Sequence, residues 1–358
     1  MMSDGFLLSR VLLRFDEETR IMIHDLSAAA LTPEGNLWFG SDEGTSIVRL
    51  SPQETNIYGN PKSFDLWDYV QLFNHETEID IEGMSYDDPF LWVSGSHSTR
   101  RKKPKHKNSS KQLQKLTQVQ QERNRYILAR LPIHEGEVIK SLTADDQKEL
   151  RAAVLRKTED SNILIDALRD DEHLGPYLSF PLPSKENGFD IEGIAAYGNK
   201  IMLGFRGPVL RGWATIVEIE VEETEPGILD LKPVGKKGKS CKKRFLHLDG
   251  LGIRELCRQG EDLLILAGPT MDLDGTMRIY RLKNAFDLEE DSLHSLEIGK
   301  RLETLYEIPY RLGADRAEGL TLYPCLNFKE ALMVVYDAPA KERMPDKNSV
   351  YGDVFQLG

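Results

Sequence analysis

One short pattern, repeated along the chain, constrains the fold more than any other feature. Asp80-Ile81-Glu82-Gly83-Met84 returns as Asp190-Ile191-Glu192-Gly193-Ile194 and, in part, as Ala317-Glu318-Gly319-Leu320. Asp249-Gly250-Leu251-Gly252-Ile253 keeps the Asp and the second Gly but has Leu where Glu stood. Asp25-Leu26-Ser27-Ala28-Ala29 keeps the Asp alone. Self-similarity of this kind marks folds built from copies of one unit.

The stretches after the copies are also alike. A turn leads into a second apolar run, at 36–40, 90–94, 200–205, 262–267 and 331–336. Third runs lie at 46–50, 125–131, 214–221, 277–282 and 353–357, and fourth runs at 63–72, 177–182, 244–248 and 303–308. All are rich in Val, Ile, Leu, Tyr and Phe and bounded by Gly, Pro, Asp and Asn, as strands are. Five copies of a four-strand unit predict an all-β chain, a five-bladed β-propeller spanning 1–358 as one domain. Only 39 residues follow Gly319, enough for three strands. The N-terminal run Phe6–Phe15 is therefore expected to close the last blade and remove two sheet edges.

Repeat positions 28, 83, 193, 252 and 319 are separated by 55, 110, 59 and 67 residues. The double step leaves six blades as the alternative, and two unrelated β domains as another. Between 83 and 193 the strands of one blade are found. The remainder reads as insertions in the second blade: a mobile basic stretch at 98–125 and a helical one at 143–171. The helices are expected at 144–157, with Thr143 and Asp146 placed as a capping box, and at 162–170.

In a propeller the first strand of each blade lines the central channel. Side chains alternate along a strand, so Asp80 and Glu82 share a face, as do Asp190 and Glu192. Five blades then aim Ser27, Glu82, Glu192, Leu251 and Glu318 at one throat, with Asp25, Asp80, Asp190 and Asp249 one pleat away. Carboxylates converging there must protonate, find cations or hold a metal. Oxygen-only ligands select a hard cation, Ca²⁺ first and Mg²⁺ second. The alternative is that they bond backbone amides, Arg or water and hold no ion.

Loops after the second strands open on the same face. They collect Asp42 and Glu43, His97, Arg100 and Arg101, Arg206 and Arg211, Asp272 and Asp274, and Asp337. Arg recognises phosphate or carboxylate bidentately, and a neutral imidazole is a general base near neutral pH. The expectation is a metal-dependent hydrolase of a phosphate ester or anhydride. Ser27, Glu82, Glu192 and Glu318, with Asp80, Asp190 and Asp249, would hold the metal. Arg101, Arg206, Arg211 and Asp272 would bind substrate, and His97 would carry the proton. The alternative is a non-catalytic scaffold that binds a small anion or a protein partner, with the basic insertion as a docking arm. A lactonase or esterase is a third reading.

Bulk properties narrow the classes. The chain has 46 Lys+Arg against 58 Asp+Glu, a net charge of −12, which makes nucleic acid an unlikely partner. The basic run from Arg100 to Lys107 lacks the interleaved aromatics of a stacking platform. Three cysteines, Cys241, Cys257 and Cys325, form no zinc or redox spacing and read as reduced thiols. The apolar start carries charge and no small-residue cleavage site, and no run of 18 apolar residues exists. A cytoplasmic protein without membrane association is expected.

Several long motifs resemble an uncharacterised bacterial family, the one numbered 3616 among domains of unknown function. They are Ser184–Ala195, Ser94–Arg101, Gly204–Ala214, His247–Leu256 and Ala267–Gly275. The resemblance spans nearly the whole chain and implies no activity. More distantly, the acidic strand starts are similar to phytase-like esterase propellers and to calcium-activated nucleotidases, five-bladed proteins with a central Ca²⁺. That likeness implies Ser27, Glu82, Glu192 and Glu318 as the metal set, and Leu251 departs from it.

Overall fold

In a computed structural model, residues 5–105, 109–143, 149–180, 182–234, 238–288 and 290–357 are described. The chain is nearly all β, with curled sheets of propeller type. No described helix is long and apolar enough to cross a membrane.

Among the described residues, the main strands group into antiparallel sets of four. The first is Leu26–Leu31, Leu37–Ser41, Ser46–Glu54 and Ile57–Asp65. The second is Ile81–Asp87, Phe90–Gly95, Leu128–His134 and Ala153–Leu155. The third is Asp190–Tyr197, Lys200–Gly207, Trp213–Glu225 and Cys241–His247. The fourth is Gly252–Gln259, Asp262–Gly268, Met277–Leu282 and Leu302–Ile308. In the last, Arg316–Cys325, Phe328–Asp337 and Ser349–Gln356 are completed by Leu7–Arg14 from the other end of the chain. The first strand of each set lies against the first strand of the next, and that of the last set returns to Leu26–Leu31.

The middle strands are apolar on both faces, which explains their near-continuous hydrophobic runs. Alternate residues of one strand enter different cores. Leu37 and Phe39 pack toward the last set, whereas Trp38 packs toward the second. Leu263 and Ile265 face the third set, and Leu264 and Leu266 the last. Each core is thus shared by two neighbouring sets.

Two expected elements are different. Residues 149–155 are not helical. Glu149–Arg151 pairs with Ser141–Thr143, and Ala153–Leu155 is the outer strand of the second set. The physical reason is two-sided burial: Val154 enters one core while Ala153 and Leu155 enter the next. Residues 144–148, with the predicted cap partner Asp146, lie outside the described residues. Conversely, of the run expected as a strand at 177–182, residues 177–179 are helical, and residue 181 lies outside the described residues. Gly175–Ser179 is a short helix, with Pro near its first turn.

The second helix is where the sequence places it, at Ile163–Arg169, with the Asn162 side chain accepting from the amides of Leu164 and Ile165. The basic stretch contains the hairpin Thr99–Arg101/Val119–Gln121 and a helix at Ser110–Lys115. All three cysteines are free thiols.

Candidate functional site

The central strands share one irregularity, and it builds the site. In each, the pairing register skips where the strand enters the throat: at Leu26/Ala28, Ile81/Gly83, Ile191/Gly193, Ile253/Glu255 and Ala317/Leu320. A bulge of this kind re-aims the extra side chain. The residues released are Ser27, Glu82, Glu192, Arg254 and Glu318. In three of the strands the residue after the released Glu is a glycine, placed where the next central strand passes close. A Cβ on Gly193 would sit 2.8 Å from the backbone N of Leu256, and one on Gly319 would sit 3.0 Å from the backbone of Ala28.

The fourth copy is therefore displaced by three residues from the sequence alignment. Ile253-Arg254-Glu255-Leu256, not Asp249–Ile253, matches Ile81-Glu82-Gly83-Met84. The signal was the flanking apolar pair rather than the Asp and Gly. Leu251 packs beside the core between the third and fourth sets. Asp249 sits in the preceding turn, half-exposed, where Arg278 Nη1 donates to it at 2.6 Å. It is not a throat residue.

Arg254 dominates the throat. Its Nε lies 2.9 Å from Glu192 Oε2, and its Nη2 donates to Glu318. On the far side of Glu192, Arg206 Nη1 donates to Oε1 at 2.8 Å and lies 3.9 Å from Asp190. Arg125 Nη1 meets Asp80 Oδ2 at 2.7 Å. Arg254 and Arg125 were missed by sequence reasoning. Arg125 was assigned to a strand but stands in the single turn Arg123–Tyr126. Glu255, also missed, is fully buried and accepts from the amides of Leu256 and Ile194, joining the third and fourth sets.

These groups floor a cavity of about 380 Å³. Of the predicted residues, Glu82, Glu192, Glu318, Asp80, Asp190, Arg101, Arg206 and Asp272 line it, together with Asp42, Asp274 and Asp337. The wall arginines are engaged. Arg100 pairs with Glu78 and Glu122, Arg101 with Glu186, and Arg311 with Glu342. Arg316 stands 3.7 Å from Asp337.

The carboxyls carry the strain of burial. Desolvation, then Glu192 and Asp80, pushes Glu82 well above the usual carboxylate range. Burial and then Glu192 does the same to Asp190. Burial and the nearby Asp80 push Asp42 up to about 8. Glu318 is pushed up to about 8 by burial, against the pull of Arg254. Asp42 Oδ1 and Asp190 Oδ1 are buried without a hydrogen-bond partner among the described residues. Glu82 has no ion pair with a described residue.

Besides Asp249, three expected residues do not join the cavity. Ser27 donates its hydroxyl to the carbonyl of Ile81, tying the first set to the second. Arg211 is exposed in the turn before Trp213. His97 is 1 % exposed, and both ring nitrogens are used: Nδ1–H donates to Gly95 O at 2.8 Å, and Nε2 accepts from Asn162 Nδ2 at 2.9 Å. Burial lowers its pKa to about 4, despite the Gly95 bond. It is a neutral structural histidine that carries no proton to the cavity.

The residues present do not fit a calcium ion. Arg254 occupies the space between two of the implied ligands, and Ser27 turns to a carbonyl. Among the described residues no three His, Cys, Asp or Glu side chains converge as a metal site.

Comparison with known proteins gives distant structural neighbours. Virginiamycin B lyase from Staphylococcus aureus superposes with a TM-score of 0.31 at 10% identity, covering 92% of this chain and 66% of the lyase. The aldose sugar dehydrogenase from Streptomyces coelicolor, in its PQQ-bound form, gives 0.35 at 11% identity, with 97% and 98% covered. The Pan2 WD40 domain from Neurospora crassa gives 0.32 at 11% identity, with 94% and 81% covered. A search of curated proteins finds no match. One family model matches residues 25–353, and the chain belongs to that family, described as a protein of unknown function, DUF3616.

Proposed function

We propose that the sets are the blades of a five-bladed propeller, and that its throat cavity binds a small organic molecule through a cationic or donor-rich group, without a metal. The closed neighbour order of the first strands supports the blade count. One observation carries the binding reading. Each described arginine on the cavity wall already has a carboxylate partner, while Glu82 feels Arg254 only at a distance and is in no ion pair with a described residue, and Asp42 and Asp190 each keep an oxygen without a donor among the described residues. Buried polar groups require partners, so the cavity asks for donors rather than anions.

The raised carboxyls make this binding proton-linked. Asp42, pushed up to about 8, is largely protonated at pH 7. A neutral carboxyl donates to and accepts from a polyol, whereas an ammonium or guanidinium favours the ionised form and expels the proton. Phosphate-ester hydrolysis has less support, because the arginines are engaged and His97 is sealed away.

The test is calorimetry and thermal shift with alkylamines, guanidines, polyols, inorganic phosphate and Ca²⁺. Binding of an amine or guanidine, weakened at least tenfold by Glu82→Gln, is expected. Stabilisation by Ca²⁺ or phosphate, with none by the amines, would overturn the reading.

A further inference from the structure

The partner-poor groups of this cavity differ in burial: the buried ones are carboxyls, while the exposed rim carries Lys102, Lys103 and Lys185 together with Glu43. At the floor are the oxygens of Glu82, Asp42 and Asp190. Asp190 is 2 % exposed, its Oδ1 lacks a hydrogen-bond partner among the described residues, and it lines the cavity. At the mouth, on the side of the Thr99–Arg101 hairpin, stand Lys102, Lys103 and Lys185. None of the three pairs with a described carboxylate. The arginines between these layers are held by their own carboxylates, so they form a neutralised wall rather than a second anion site.

We infer that the ligand is a small zwitterion, with an amine or guanidine group seated on the floor and a carboxylate or phosphate group facing the mouth lysines. This deepens the binding reading above and rests on it. A cation alone satisfies the floor and leaves three ammonium groups unpaired. An anion alone satisfies the mouth and leaves buried carboxyl oxygens without donors. A molecule carrying both, joined by a short spacer, satisfies both layers at once. Lysine suits the mouth role because its ammonium is a mobile point charge that adapts to the spacer. The cavity volume, about 380 Å³, falls in the range of small-molecule sites.

The experiment compares ω-amino carboxylates of graded length with plain alkylamines of matching length, by calorimetry at low salt. The protein is wild type and the Lys102→Gln/Lys103→Gln/Lys185→Gln variant. At the best length, the zwitterion is expected to bind at least tenfold tighter than the matched amine. In the variant that ratio should fall to near one. Equal binding of amine and zwitterion by the wild type would overturn the inference and leave the floor reading standing. A ratio unchanged in the variant would overturn the role of the lysines. No binding of either class, with cooperative unfolding intact, would overturn both readings.

Discussion

Arg254 is the residue on which the chemistry of the throat turns. It does in covalent form what a bound cation would otherwise do, neutralising Glu192 and Glu318 from one position. Removing one partner of a buried ion pair leaves an uncompensated charge, at a cost of about 3–5 kcal/mol. Arg254→Ser should therefore lower the unfolding midpoint markedly in a denaturant titration. It also frees the two carboxylates beside Glu82, so millimolar Ca²⁺ should stabilise the variant in thermal denaturation and leave the wild type unmoved. Glu82 supplies a second residue-scale prediction. Amine affinity should strengthen as pH rises from 6.5 to 8, because the cation displaces protons from raised carboxyls. Glu82→Gln should weaken binding and flatten that slope, read as proton release in buffers of different ionisation enthalpy.

The central strand is the element that was easiest to recognise and hardest to align. Its glycines were legible because only a residue without Cβ tolerates the approach of the next strand. Gly193→Ala should cost about 1–3 kcal/mol by overpacking against Leu256, measured by urea unfolding. The register of the fourth copy was not legible, since Asp249-Gly250 is a turn and the bulge that aims Arg254 exists only once Asp262–Gly268 is paired. The outer strand of the second set was missed for a related reason. Ala153–Leu155 is three residues long, too short for a period, and its identity comes from the two cores it separates. The N-terminal strand was recognised because the last set lacked a member. Deleting residues 1–14 should expose the edge of Ser349–Gln356, and size-exclusion chromatography should show self-association.

At the scale of the whole molecule, the acidic throat is a stability term with a definite sign. Asp42 holds its proton in the folded state up to about pH 8 but loses it near pH 4 when unfolded. Between pH 6.5 and 8 the native state binds more protons, so stability falls as pH rises. His97 acts with the opposite sign, but only below its ordinary value of 6.5, because above it the ring is neutral in both states. The unfolding midpoint should therefore decline from pH 6.5 to 8. Asp42→Asn should reduce the decline, and a bound amine should restore the lost stability.

Sequence alone determined the predominance of strands, four of the five copies of the repeat, the closing role of the N-terminus and the convergence of Glu82, Glu192 and Glu318. These depend on local periodicity and on a pattern whose copies can be compared by eye. Tertiary structure alone decided which charges are satisfied. Arg254 reaches the throat through a bulge, the wall arginines find Glu78, Glu122 and Glu186, and His97 is sealed by Asn162, 65 residues away in the chain. Burial and pairing depend on neighbours brought together by folding, and no spacing along one strand encodes them. The change from a cavity expected to hold a metal and an anion to one proposed to bind a cationic group rests on those pairings.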